Sequence, residues 1–123
     1  VNQILLVDRD PEIQLAFERD VRSLGWKTLT ATSPLQVVRC MMREDVAVRA
    51  ALVSLAVGAA NVRQILSFLA DDYAKVRRIV LAGRAMVGLA ETMITSHHAD
   101  ALLMTPWTQA SFEELLGRNP SSR

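Results

Sequence analysis

The stretch Ile4-Leu5-Leu6-Val7-Asp8-Arg9-Asp10-Pro11 decides how this chain is read. Four apolar residues make a run of the length of a buried strand, which stops abruptly on two acids, a cation and a proline. Asp10 and Pro11 together form a helix start. An Asp at that place accepts from the orphan N–H groups of the first turn, and Pro has its φ preset for the first helical position. Behind them Ile13, Phe17, Val21 and Leu24 share one helical face, and Gly25 closes the segment. A hydrophobic strand that delivers acids to its carboxyl end, directly before a helix, is how open α/β sheets place chemistry at the strand tips.

Outward from this unit the same alternation recurs, giving five strand-then-helix units with no internal repeat. Strands are expected at Gln3–Val7, Lys27–Ala31, Ala51–Ala56, Arg78–Ala82 and Ala101–Met104. Ser33-Pro34 opens the second helix, with Leu35, Val38 and Met42 as its buried stripe. The third helix begins near Asn61 and carries Val62, Ile65, Leu66 and Leu69; the fourth runs from Met86 to His97. Thr108 caps a short last helix packed by Phe112, Leu115 and Leu116. Repeated strand-then-helix units imply a parallel sheet covered on both faces, an α/β three-layer sandwich. Gly117 and Asn119-Pro120-Ser121-Ser122 read as turn and linker chemistry. The expectation is one domain over residues 1–117 and a linker or disordered tail over 118–123, with a further domain beyond it.

Composition narrows the function classes. A chain of 123 residues fits one domain that buries roughly two thirds of its unfolded surface on folding. Half of it is hydrophobic and 22% is charged, which is globular composition. A net charge of +1, with Arg43 and Arg77-Arg78 scattered, gives no concentrated basic patch, so nucleic-acid binding through phosphate neutralisation is not expected. Cys40 stands alone, so no disulfide can form within the chain and nothing points to an oxidising compartment. A cytoplasmic location is expected. The apolar stretch Ala50 to Ala60 is about half of the ~20 residues a membrane helix needs. No signal segment opens the chain, and Val1 in place of an initiator Met reads as an artificial boundary.

From Ile4 through the Thr105-Pro106-Trp107 turn, the chain resembles the receiver domain of two-component response regulators. The resemblance implies a flavodoxin-like (βα)5 fold, a parallel sheet of order 2-1-3-4-5, and a pocket that takes a phosphoryl group onto an aspartate after strand three. That pocket ordinarily holds an acidic pair after strand one, the acceptor aspartate, a Thr or Ser after strand four, and a Lys before Pro after strand five. Here the acidic pair falls on Asp8 and Arg9, the acceptor on Ala56, the hydroxyl residue on Ala82, and the lysine on Thr105. Leu102 stands where the family often keeps a mobile aromatic. Of the pocket only Asp8 survives, so the chain is expected to be a degenerate receiver, or pseudo-receiver, of a bacterial-type signalling protein. Its partners would be a protein or an output domain, with homodimerisation as one mode.

The substitutions have meaning apart from the family. Magnesium prefers near-octahedral oxygen ligation from one or two carboxylates plus phosphate oxygens. With Arg9 and Ala56 in place of acids, binding is expected to be weak or absent, and no other cofactor is implied. Phosphoryl transfer needs an oxygen nucleophile and fixed positive charge around the transferring group. A two-residue slip of the third strand would put Ser54 at the acceptor place, and still no carboxylate, because Arg49 to Gln64 contains neither Asp nor Glu. Arg9 is expected to act as a permanent stand-in for the cation beside Asp8. Two rivals remain: phosphotransfer on Asp8 or Asp10 in a rearranged pocket, and a small-ligand-binding flavodoxin-like protein. The latter needs a Gly- or Ser/Thr-rich phosphate loop after strand one, where Asp8-Arg9-Asp10-Pro11 stands.

The remaining chemistry-bearing residues have simpler readings. Adjacent His97-His98 point in different directions and gather no further ligands, so no metal is expected there, and His98 is read as a helix C-cap. Met41, Met42, Met86, Met93 and Met104 fill core or interface, and Cys40 serves as a small buried hydrophobe. Trp26 and Trp107 are each expected to be partly exposed, with Trp107 and Leu102 as interface candidates.

Overall fold

The computed structural model describes residues 2–120. Five parallel strands, β1 (Asn2–Val7), β2 (Lys27–Ala31), β3 (Ala47–Ser54), β4 (Arg77–Gly83) and β5 (Ala101–Thr105), alternate with five helices. These are α1 (Pro11–Arg22), α2 (Pro34–Met41), α3 (Ala59–Asp72), α4 (Val87–Thr95) and α5 (Gln109–Leu116). The strand order is β2-β1-β3-β4-β5, as expected. After β2 the chain passes back over β1 to lay down β3, so the direction of winding reverses between β1 and β3. In open α/β sheets a crevice forms at that point, outside the carboxyl ends of the strands.

Strand alternation divides the core in two. Ile4 and Leu6 join Leu52, Ile79, Leu81 and Leu103 on one face, closed by Phe17 and Val21 of α1 and Phe112 of α5. Leu5 and Val7 join Ala51, Val53 and Val80 on the other, closed by α2, α3 and α4 through Val37, Met41, Ile65, Leu66, Leu69 and Met93. On the first face Phe17 meets Phe112 edge-on at 5.7 Å between centroids, and Trp107 stacks on Phe112 at 5.4 Å.

Several local expectations are corrected. In α2 the buried residues are Val37 and Met41, whereas Leu35 and Met42 are exposed and Val38 is half-buried. This helix has only eight residues and is apolar around most of its circumference, so spacing alone does not fix which stripe faces the sheet. β3 stops at Ser54, two residues early, because the Ser54 hydroxyl accepts the Ala56 N–H at 3.1 Å and turns the chain into a 3-10 turn over Leu55–Val57. Gly58, at φ 100°, then admits the backbone into α3 through a region that L side chains rarely adopt. Met42, Met86 and Met104 are exposed, whereas Met41 and Met93 are core.

At the end of α4 it is His97, not His98, that takes the left-handed conformation, with φ 66°. The His98 N–H donates to Met93 O at 2.8 Å and the His97 N–H to Ile94 O at 3.0 Å, the paired bonds of a Schellman ending. Trp26 is buried rather than partly exposed, and its indole N–H donates to Gly117 O at 2.8 Å. Contacts with the domain extend past the expected boundary at residue 117. Asn119 is buried, its N–H donates to Leu24 O at 2.8 Å and its side-chain amide to Gly25 O at 3.0 Å. Residues 121–123 of the expected tail lie outside the described residues.

Two outcomes check this architecture. Phe17→Ala removes a fully buried ring that joins α1 to α5 and is expected to lower unfolding free energy by about 3–5 kcal/mol in urea titrations. His97→Gly relieves the left-handed backbone and is expected to stabilise by about 0.5–1 kcal/mol, while His98→Gly does not.

Candidate functional site

At the carboxyl end of β1 the Asp8 N–H donates to Ala31 O at 3.1 Å, extending the pairing with β2 by one residue. That bond fixes the Asp8 side chain at the switch between β1 and β3, where it is 3% exposed. Its Oδ1 accepts the Asp10 N–H at 3.0 Å, an Asx turn that swings the chain off the strand. The Asp8 carbonyl is held by the Gln14 side-chain amide at 2.7 Å. Asp10 caps α1 as expected, its Oδ1 accepting the Glu12 N–H at 2.9 Å. The turn between strand and helix is thus made by two acids in series.

Arg9, between them, points elsewhere. It is exposed, and its Nε donates to Thr32 O at 3.3 Å. Among the described residues no ion pair joins Arg9 to Asp8 or Asp10. The expected pairing of Arg9 with the buried acid therefore does not form; a β1 residue and its successor project to opposite sides of the chain, and Asp8 takes the inward side.

The other strand tips complete a cleft of about 410 Å³. Asp8, Asp10, Ser54, Ala56, Ala82 and Thr105 line it, with Ile13, Leu55, Leu81, Gly83 and Met86. β4 and β5 bring Gly83 opposite Thr105 in register, and both residues line the cleft. Of the candidate positions the cleft gathers Asp8, Asp10, Ala56, Ala82 and Thr105 and leaves out Arg9. Ile13 and Met86 were not readable as lining residues: the first carries the signal of a helix core face, and the second sits in a 3-10 turn (Arg84–Met86) that the helical pattern absorbed.

Leu102 and Trp107 lie on a neighbouring groove of about 500 Å³ between β5 and α5, together with Met104, Arg77 and Leu115. Leu102 is half-buried. Trp107 is half-buried as well, and its indole N–H donates to Asp20 Oδ2 at 2.7 Å, a contact spanning 87 residues that no local pattern announces. Burial pushes the Cys40 thiol up, opposed more weakly by nearby Arg43, so it is a poor nucleophile at neutral pH. Among the described residues no three His, Cys, Asp or Glu side chains gather in a way that could hold a metal ion.

Solved structures superpose on this arrangement over nearly its whole length. An N-terminal signal receiver domain of a two-component response regulator from Bacteroides fragilis matches with a TM-score of 0.81 at 18% identity, covering 94% of this chain and 93% of its own. The fold is that of a signal receiver domain. The receiver domain of a sensor histidine kinase from Pseudomonas aeruginosa, solved with a magnesium ion coordinated in its active site cleft, matches with a TM-score of 0.75 at 24% identity over 93% of each chain. An uncharacterized protein from Neptuniibacter caesariensis gives a TM-score of 0.83 at 20% identity, over 94% of this chain and 84% of its own. No family model and no curated protein matches the sequence. The fold is therefore shared with proteins only 18–24% identical to this chain.

The strand-end loop gives a direct check. Asp10→Ala removes the cap of α1 and is expected to cost about 1 kcal/mol of stability. Arg9→Ala is expected to change it by less than about 0.5 kcal/mol in the same urea titrations, as for an exposed side chain outside any buried network.

Proposed function

We propose that this chain is a receiver-like signalling module that works through protein contact or dimerisation and does not switch by aspartyl phosphorylation. The observation that carries the reading is the make-up of the cleft at the strand tips. Ala56 and Ala82 bring methyl groups there, Thr105 brings a neutral hydroxyl, and among the described residues Asp8 is the one carboxylate buried in it. Phosphoryl transfer needs an oxygen nucleophile and fixed positive charge around the transferring group. Ala56 offers no nucleophile, and the cation nearest in sequence, Arg9, is turned to Thr32.

Magnesium fits this donor set poorly. One oxygen of Asp8 is taken by the Asp10 N–H and one of Asp10 by the Glu12 N–H, so few oxygens remain for a near-octahedral shell. Binding is expected to be weak or absent. In the family that the sequence resembles, a hydroxyl after strand four and an aromatic in strand five move together when phosphate arrives. Ala82 and Leu102 stand at those places, so a change of state would arise from a partner that binds two conformations with different affinity. The module is read as non-enzymatic and cytoplasmic. No helix among the described residues is long and apolar enough to cross a membrane.

The test is an amide-shift NMR titration with magnesium and then beryllofluoride, a phosphoryl mimic, backed by intact-mass spectrometry after acetyl phosphate. The expected result is an unchanged spectrum around Asp8, Ala56, Ala82 and Thr105 and no phosphate adduct. Saturable shifts at the strand tips, or an adduct on Asp8 or Asp10, would show a working acidic pocket and overturn the reading.

A further inference from the structure

The cleft at the strand tips holds a charge that the protein does not answer. Asp8 is 3% exposed, and only its Oδ1 is engaged, by the Asp10 N–H at 3.0 Å. Among the described residues its Oδ2 has no hydrogen-bond donor, and no Lys, Arg or His lies within ion-pair distance of Asp8 or Asp10. Arg9 is turned to Thr32 O, and Arg84, between the lining residues Gly83 and Met86, is exposed and does not line the cleft. Among the described residues Asp8 Oδ2 is not sealed from the cleft, and a carboxylate oxygen that faces a largely apolar cleft with no protein donor suits a cation with hydrogen-bond donors.

The walls say which kind of cation. Ile13, Leu81, Ala82 and Met86 make most of the surface apolar, and about 410 Å³ lies within the usual range for small-molecule sites. A hard metal ion would find too few oxygens there and would gain nothing from the apolar wall. A primary ammonium on a short alkyl chain uses both parts. Its head has three donors, for Asp8 Oδ2 and for the Thr105 hydroxyl, which makes no hydrogen bond of its own among the described residues; its chain lies against Ile13, Ala82 and Met86.

We propose that the strand-end cleft of this protein binds a small primary aliphatic amine, in its ammonium form, with Asp8 as the anchoring carboxylate. The site asks nothing of phosphorylation, so its test and the beryllofluoride test fail independently.

The experiment is an amide-shift titration of the protein with butylammonium chloride at constant ionic strength, run in parallel with 1-butanol, its uncharged counterpart. Saturable shifts confined to Asp8, Ala56, Ala82, Met86 and Thr105 are expected with the amine and not with the alcohol. Asp8→Asn keeps an oxygen to accept the Asp10 N–H, so the turn survives, and removal of the charge is expected to weaken binding by about tenfold or more. Ala56→Leu, at an exposed turn position on the cleft, is expected to block the amine while leaving the rest of the spectrum in place. No saturable shift with the amine, equal shifts with 1-butanol, or undiminished binding by Asp8→Asn would each overturn the proposal.

Discussion

Everything in this domain hangs on the burial of β1 and β3 from both sides. Leu5, Leu6, Val7, Leu52 and Val53 are fully buried, and their alternation sends neighbours into separate cores. A strand of this kind tolerates no register slip, because a shift of one residue would exchange the contents of the two cores. The α1 and α5 layer is fitted to one set of side chains and the α2, α3 and α4 layer to the other. Asp8 therefore occupies its place because Val7 occupies its own.

The same constraint explains how much was legible in the sequence. Fully apolar runs such as Ile4–Val7 and Ile79–Leu81 announce themselves, and the order of the sheet follows from five repeated units together with the family resemblance. The caps were readable because Asp10, Ser33 and Thr108 do chemistry with their nearest neighbours. Short elements with apolar residues on several sides were not. The phase of α2 is set by what the sheet offers to Val37 and Met41, a tertiary choice among near-equivalent stripes. Leu55 and Ala56 continue the apolar run of β3 in sequence, and only the Ser54 hydroxyl, which accepts the Ala56 N–H, marks where the strand ends.

At the strand tips the composition of the cleft was readable but its wiring was not. Asp8, Ala56, Ala82 and Thr105 could be placed by counting along strands. The separation of Arg9 from Asp8 depends on the direction in which the turn leaves β1, and that direction is set by backbone bonds to Asp8 and Asp10. Charge adjacent in sequence is here not charge adjacent in space. The long contacts, Trp107 to Asp20 and Trp26 to Gly117, carry no sequence signal, because each is made by a polar atom on an otherwise apolar ring.

The binding of Asn119 to the Leu24–Gly25 turn also brings the two extremities of the described chain together. The Asn2 amide donates to the Asn119 side-chain oxygen at 3.3 Å, and Arg49 reaches the other end of the Asn2 side chain at 3.0 Å. In topological terms the fold is close to a closed ring, with entry and exit at one point on the surface. Such a body can be spliced into a loop of a host protein without prising the host's loop ends apart, and new termini can be opened elsewhere on its surface. A force applied across residues 2 and 119 would load this polar junction and the first residue of β1 together.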